Sequence, residues 1–234
     1  MTDHDRKLSE QANSFAKANR TRIARELTCK EQFPPDKKPV AVFMSGSPGA
    51  GKTEASKAFL EKIGATGVLR LDPDELRQYF PDYTGDNSYL FQSAVSLIIE
   101  RTLDRAFGNR QSFLLDGTLS SLDVARKNIS RALRKQRDVL ILFVYQPPEL
   151  AWEFVQAREK EEGRRILPET FIEQFLGSQA VVRELKKEFG DRIRVDLLIK
   201  ANKGAARSYH DNIAAVENHL SRKYTRKELE SLIL

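Results

Sequence analysis

Residues 46–53 have the residue types and the spacing of a phosphate-binding loop, G-x-x-x-x-G-K-[ST]. The segment consists of Gly46, Ser47, Pro48, Gly49, Ala50, Gly51, Lys52 and Thr53. Its glycines let backbone N–H groups turn toward phosphate oxygens, its lysine can reach the β- and γ-phosphates, and its threonine hydroxyl can hold Mg²⁺. An apolar run precedes the segment and a helical pattern follows it. This context favours a nucleotide site over a chance glycine turn.

The identity of the nucleotide depends on a second segment near the end of the chain. Guanine-specific proteins with the same loop usually carry Asn-Lys-x-Asp after a late strand. Here Asn202, Lys203, Gly204 and Ala205 stand near that place, and the acid is missing. We therefore expect the loop to bind ATP, together with Mg²⁺.

Acidic residues follow the second and the third apolar run of the chain. Asp72 and Asp74 come after residues 66–71, and Asp116 comes after residues 112–115. Ligands of parallel sheets bind beyond the carboxyl ends of the strands, so we expect these carboxylates beside the phosphate loop. A carboxylate there can orient an acceptor hydroxyl and accept its proton, which is the role we expect for Asp74. For Asp72, capping of the following helical segment is the favoured interpretation.

Asp116 has two possible roles. An acid after an apolar strand can bind Mg²⁺ through water or hold the substrate. An Asp-Gly pair, here Asp116 and Gly117, is also typical of a tight turn at the end of a strand. We favour the functional role and expect Asp116 to serve metal and substrate.

A charged segment after the fourth apolar run is typical of a mobile lid. Gly163 interrupts a charged helical pattern, and Pro168 begins the next helix. Arg158, Arg164 and Arg165 lie in or beside this segment. Because phosphoryl transfer concentrates negative charge, arginines of a closing lid can neutralise it. We expect at least one of the three to be catalytic, and a solvated charged loop is the alternative.

Short apolar runs that alternate with longer helical patterns predict an α/β fold. We expect a mostly parallel central sheet of about five strands, flanked by helices. The predicted strands are 39–45, 66–71, 112–115, 139–145 and 193–199, and the predicted helices include 54–63, 89–107 and 122–135. Residues 6–30 predict an N-terminal amphipathic helix. We divide the chain into this helix with a Pro-rich linker (1–38), a core (39–204) and a helical tail packed on the core (205–234).

Composition limits the possible classes of protein. Hydrophobic residues make up 40% of the 234 positions, and no apolar run approaches the ~20 residues of a membrane helix. Cys29 is the only cysteine, which excludes an internal disulfide and favours the cytoplasm. The net charge of +6 is spread among acids, so a solvated surface is favoured over a nucleic-acid partner.

Together these segments resemble the zeta toxin family, which consists of P-loop kinases of toxin–antitoxin systems that phosphorylate UDP-N-acetylglucosamine and related UDP-sugars. The resemblance covers residues 38–200. It is carried by the phosphate loop, by an Asp-x-Asp-x-x-[Arg/Lys] segment with Pro81 after it, by Asp116-Gly117-Thr118, and by an Arg…Arg-x-x-Pro lid. The resemblance implies the P-loop kinase fold for the core, with ATP and Mg²⁺ as its ligands.

The resemblance also implies a role for each matching residue. Asp74 would be the general base for the 3′-hydroxyl of the sugar. Lys52, Arg158 and Arg165 would balance the charge of the transition state. The residues on the substrate side would be Arg77, Glu100, Asp116, Thr118, Ser120 and Asn128, and the metal would be held by Thr53 and Asp116.

Three departures from the family fall on the acceptor side of the site. Family members usually have Glu at the position of Asp116 and Arg at that of Ser120, and their lid is longer than the segment 158–165. Phosphoryl transfer is therefore a firmer expectation than the acceptor. A nucleotide, NAD, an antibiotic or a nucleic-acid end is the alternative acceptor, and a non-catalytic ATP-binding regulator is a third interpretation.

The N-terminal helix suggests a hypothesis about inhibition. In the family a small helical antitoxin often blocks the nucleotide site. Helix 6–30 could play a related role within this chain, or it could bind an antitoxin. Ordinary packing on the core is the favoured alternative.

Overall fold

The fold is built on a central sheet whose strand order is β2-β3-β1-β4-β5-β6. This computed structural model describes residues 2–163, 165–200 and 208–234, apart from the side chain of residue 162. The strands are β1 Val40–Ser45, β2 Leu69–Leu71, β3 Phe113–Leu115, β4 Asp138–Tyr145, β5 Arg194–Ile199 and β6 Ser208–His210. The pairings from β2 to β5 are parallel, and β6 pairs with β5 in the antiparallel direction. The predicted α/β class with a mostly parallel sheet is confirmed.

Helices cover both faces of this sheet. They are α1 Asp3–Leu27, α2 Lys52–Lys62, α3 Gln92–Gly108, α4 Leu122–Arg134, α5 Pro148–Glu162, α6 Pro168–Phe189 and α7 Arg226–Ile233. The prediction that residues 89–107 form one helix was wrong at its start, because Ser88–Phe91 is a 3₁₀ turn and α3 begins at Gln92. Among the described residues we find no helix of the length and apolarity that crossing a membrane requires.

Apolar side chains of the central strands fill the core on both faces of the sheet. Phe43 and Phe113 are fully buried neighbours, with ring centroids 5.8 Å apart in an edge-to-face arrangement. A separate hydrophobic cluster joins α1 to α3 and includes Ala16, Ile23 and Ile98, each buried completely. Burial of one large aliphatic side chain contributes about 1.5–3 kcal/mol, so this contact fixes α1 firmly on α3.

Helix α1 therefore packs on the core, as the favoured interpretation expected. A capping box starts it: Thr2 Oγ1 accepts from the N–H of Asp5 at 3.1 Å, and the Thr2 N–H donates to Asp5 Oδ2 at 2.8 Å. It ends at Leu27 rather than residue 30, where Thr28 Oγ1 donates to the carbonyl of Ala24 at 2.6 Å.

Strand β6 is an element that the sequence pattern did not predict. It has three residues, which is too short for an alternating pattern, and two of them are exposed. Asp196 of β5 holds this edge: it is 2% exposed and accepts from Arg194 Nε at 2.8 Å, from the Asn212 N–H at 2.9 Å and from Tyr209 Oη. Burial raises the pKa of Asp196, but these hydrogen bonds outweigh burial and leave it below the ordinary value of 3.8.

Residues 208–234 thus contain both a strand and a helix. Helix α7 begins at a capping box of Thr225 and Glu228. Its Leu229 is completely buried in the main core. The boundary at 204/205 and the segment from Asn202 to Ala205 lie outside the described residues, so the domain division stays a prediction.

Candidate active site

A cleft of about 750 Å³ opens at the carboxyl ends of the parallel strands, where ligands of such sheets bind. It brings together most of the residues that the sequence singled out. Its lining includes Pro48, Gly49, Gly51, Lys52, Thr53, Asp74, Arg77, Asp116, Thr118, Ser120, Asn128, Arg158 and Arg165. The phosphate loop forms one wall, and residues of α3, α4 and the α5–α6 connection form the others.

The phosphate loop lies between β1 and α2. Gly51 adopts a left-handed conformation with φ of 76°, and α2 begins at the next residue. The Lys52 ammonium folds back over the loop and donates to the carbonyls of Gly46 at 3.1 Å and Ser47 at 2.8 Å. The N-terminus of α2 and this ammonium together make the loop an anion site.

The segment after β2 carries Asp72 and Asp74 into the cleft. Asp72 Oδ1 accepts from the Asp74 N–H at 2.9 Å, two residues on, before the 3₁₀ turn Glu75–Tyr79. The N-cap of that turn is Asp74, so the expectation of a cap at Asp72 is replaced by an Asx turn. The Asp74 carboxylate is one-third exposed and pairs with the Arg77 guanidinium. The backbone thus aims Asp74 into the cleft, and Arg77 fixes its orientation.

Asp116, after β3, is 5% exposed and lies in a polar network. Its Oδ2 accepts from Ser56 Oγ at 3.0 Å and from the Arg70 guanidinium at 2.7 Å. Arg70 was missed by the sequence reasoning. A charged residue between Leu69 and Leu71 in a buried strand is the signal that could have indicated it.

The turn after Asp116 supplies the next polar groups. Thr118 Oγ1 and Ser120 Oγ lie 3.1 Å apart, and the Thr118 carbonyl accepts from the Gly46 N–H at 3.3 Å. This turn therefore holds the phosphate loop directly. Asn128 reaches the cleft from α4.

Among the six residues predicted on the substrate side, Glu100 does not line the cleft as the described residues form it. Its Oε1 accepts from Lys127 Nζ of α4 at 2.7 Å, and half of its side chain is exposed. Helix α3 turns Gln92 and Ser96 toward the cleft instead, and Glu100 lies one turn beyond Ser96. Tyr89 of the preceding 3₁₀ turn, which is 58% exposed, also lines the cleft. The sequence reasoning missed these three residues because their positions depend on where that turn ends and on the register of α3.

The lid segment begins in the C-terminal part of α5, which contains Arg158, and continues into the connection to α6, which contains Arg165. Arg158 NH2 is 3.7 Å from Glu54 Oε1 of α2, and Arg165 Nε is 3.7 Å from Glu159 Oε1. Both pairs are largely exposed and contribute little to stability. They hold the two arginines at the rim of the cleft. Arg164 lies outside the described residues.

The donor set of the cleft fits Mg²⁺ bound with a nucleotide. Among the described residues, no group of three or more His, Cys, Asp or Glu side chains could hold a metal by itself. Thr53 and Asp116 both line the cleft. Mg²⁺ commonly takes one or two protein oxygens and completes its shell with phosphate oxygens and water, which two such residues permit.

Comparisons with known proteins concern the family and the fold of the chain. A family model described as zeta toxin matches residues 23–214. The toxin PezT of Streptococcus pneumoniae is 24% identical over 123 residues, which are 50% of this chain and 48% of PezT, so the match spans about half of that relative. A structure of the PezAT toxin–antitoxin system of the same species superposes with a TM-score of 0.65 at 18% identity, over 100% of this chain and 88% of that one. A structure of AvrRxo1-ORF1:-ORF2 with ATP gives 0.58 at 19% identity, over 87% and 65% of the two chains.

Proposed function

This chain belongs to the zeta toxin family, and we propose that it is an ATP-dependent kinase of UDP-N-acetylglucosamine or another UDP-sugar. One observation carries the proposal: a single cleft holds the phosphate loop with Lys52, the carboxylate of Asp74 and the arginines of the lid. A protein that only binds ATP needs the loop. A phosphotransferase also needs a group that orients the acceptor and cations that balance the charge in transfer.

The phosphate side of the cleft would bind the nucleotide. Backbone N–H groups of the loop and the Lys52 ammonium would hold the β- and γ-phosphates, and the Thr53 hydroxyl and Asp116 would hold Mg²⁺. When bound, Mg²⁺ supplies positive charge to the phosphate oxygens. Support for ATP comes from the loop and from the AvrRxo1-ORF1:-ORF2 structure with ATP, which has the same fold.

The acceptor side would perform the proton transfer. Asp74 accepts the proton of the acceptor hydroxyl while the hydroxyl oxygen bonds to the γ-phosphorus and ADP leaves. Arg77 holds the Asp74 carboxylate in the orientation for this step. Arg158 and Arg165 neutralise the charge of the transferring group when the lid closes.

The sugar nucleotide would occupy the remainder of the cleft. Thr118, Ser120 and Asn128 offer hydroxyl and amide groups that suit the hydroxyls of a sugar. We propose that Gln92 and Ser96 of α3 make the contacts that the resemblance assigned to Glu100, since they lie on the cleft.

We also propose that an antitoxin regulates the kinase, in the cytoplasm, where ATP is present. One of the similar structures is described as a toxin–antitoxin system. Self-inhibition by α1 is less favoured, because among the described cleft residues none belongs to α1. Growth arrest on expression of the wild type, but not of Asp74→Asn, would support a toxin; equal growth of both strains would count against it.

Mass spectrometry tests the kinase activity. The protein is incubated with ATP, Mg²⁺ and a metabolite extract, beside Lys52→Ala as the inactive control. We expect one UDP-sugar to gain the mass of one phosphoryl group with the wild type only. A gain of mass on another metabolite would identify that metabolite as the acceptor in place of a UDP-sugar. No gain on any metabolite would refute the proposed kinase activity.

Replacement of Asp74 by Asn tests the proposed base. Asn keeps the shape of the side chain but accepts no proton from the hydroxyl, so transfer should be abolished while ATP binding is retained. Calorimetry with ATP and a coupled ADP assay measure the two properties separately. Full activity of Asp74→Asn would contradict this assignment.

A further inference from the structure

A partly buried arginine lies behind two carboxylates of the cleft, those of Asp72 and Asp116. Arg70 is the middle residue of β2, and only 13% of its side chain is exposed. A charge in such a place costs free energy unless it is paired and hydrogen-bonded, so the sequence would not tolerate it without compensating contacts.

The guanidinium of Arg70 has four acceptor residues on three segments of the chain. Nε donates to Ser56 Oγ of α2 at 3.1 Å, and NH1 donates to Glu75 Oε1 at 2.7 Å. NH2 donates to Asp72 Oδ2 at 2.6 Å and to Asp116 Oδ2 at 2.7 Å. One side chain thus joins the ends of β2 and β3 to the helix that follows the phosphate loop.

The contacts with Asp72, Ser56 and Asp116 continue toward the cleft. The second oxygen of Asp72 receives the Asp74 N–H, and Ser56 Oγ also lies 2.9 Å from the Thr53 carbonyl and donates to Asp116. The networks of the proposed base and of the proposed metal ligands therefore meet at one guanidinium.

The acidic partners of Arg70 keep its guanidinium charged. Burial lowers the pKa of Arg70, but hydrogen bonds to Glu75 and Asp116 and the charge of Asp72 outweigh burial, so the pKa lies above its ordinary value. Without the cation, the buried carboxylates of Asp72 and Asp116 would face each other unpaired, and they would repel.

We propose that Arg70 is a positioning residue for phosphoryl transfer, which holds Asp72 and Asp116 so that Asp74 and the metal-side carboxylate face the two substrates. The inference rests on the proposed kinase activity. Arg70 does not line the cleft among the residues described there, so it acts through these carboxylates and not by touching a substrate.

Kinetics of two variants test the proposal. Arg70→Gln removes the charge, and Arg70→Lys keeps it with fewer directed donors. Because a displacement of about 1 Å at a reacting group costs about 100-fold, we expect kcat of Arg70→Gln to fall about 100-fold, with KM for ATP changed less than about threefold. Arg70→Lys should recover part of kcat, because the charge remains while some of the directed hydrogen bonds are lost.

Arg137→Gln is the matched control. Arg137 is 4% exposed and donates to the carbonyls of Gln111 at 2.5 Å and Ala106 at 2.9 Å, near the amino end of β4 and away from the cleft. Its loss should lower the unfolding midpoint without the selective loss of kcat. An equal fall of kcat in Arg137→Gln and Arg70→Gln, or no rescue by Arg70→Lys, would overturn the proposal.

A crystal structure of Arg70→Gln separates this inference from the kinase proposal. If the wild type phosphorylates no acceptor, the proposed function fails, and the positions of the carboxylates decide the role of Arg70. Displacement of Asp72 and Asp116 by more than about 0.5 Å supports the positioning role. Carboxylates that stay in place overturn it.

Discussion

Gly49 offers a quantitative test of the phosphate loop. Its φ is +72°, and a Cβ at this position would lie 2.0 Å from the carbonyl oxygen of Ala151 in α5. Real Cβ atoms keep at least 3.0 Å from such atoms, so the loop or α5 must shift by about 1 Å in Gly49→Ala. The obstacle is backbone, and no rotation of a side chain relieves it.

Gly64→Ala is a control that separates the cost of backbone strain at positive φ from the effect of the displaced loop. Its φ of +62° is similar, but among the described residues no atom lies within 4 Å of its added Cβ. Both variants place an L-residue in the left-handed region, which costs about 1–2 kcal/mol. Only Gly49→Ala also displaces the N–H groups that face the phosphates. Loss of one charge-assisted hydrogen bond, about 2 kcal/mol, weakens ATP binding about 30-fold.

Titration calorimetry with ATP and Mg²⁺, combined with urea unfolding, measures both effects. We expect both variants to lose similar unfolding free energy apart from the cost of the shift, and only Gly49→Ala to lose affinity. Equal ATP affinity of Gly49→Ala and Gly64→Ala would refute the reasoning, because the contact of the added Cβ with the Ala151 carbonyl would then have no consequence at the loop.

Three further predictions concern the helix, the lid and the sheet edge. Ile23→Ala should lower the unfolding free energy by about 2–4 kcal/mol in urea titrations and leave KM for ATP unchanged, whereas higher kcat would indicate that α1 inhibits. Glu54→Gln should release Arg158 and raise kcat/KM for ATP up to about fivefold at low salt, since an exposed pair is worth at most about 1 kcal/mol; no change with salt would contradict this. Because the pKa of Asp196 is depressed in the fold, its stabilisation is present above the unfolded value of 3.8 and is lost as the pH falls through the folded pKa. In Asp196→Asn, the unfolding free energy from urea titrations should therefore fall less steeply as the pH is lowered. The same fall as in the wild type would count against this role of Asp196.

Local patterns predicted the elements that depend on local physics. The glycine loop between an apolar run and a helix can form few other structures, and the loop is where the sequence placed it. The positions of the Asp74 and Asp116 carboxylates were predictable because parallel strands present their carboxyl ends to one cleft. Strand β6 escaped prediction, because three residues hold their place only by pairing with β5.

The sequence by itself determined the α/β class, the phosphate loop and the acids beyond the strands, since these depend on spacing along the chain. Tertiary structure decided which side chains meet. It turned Ser96 to the cleft and left Glu100 one turn further on, paired with Lys127. It also gathered the acceptors of Arg70 from segments up to 60 positions apart in the chain. Helix register and contacts between distant segments are set by packing, and no pattern within a single segment encodes them.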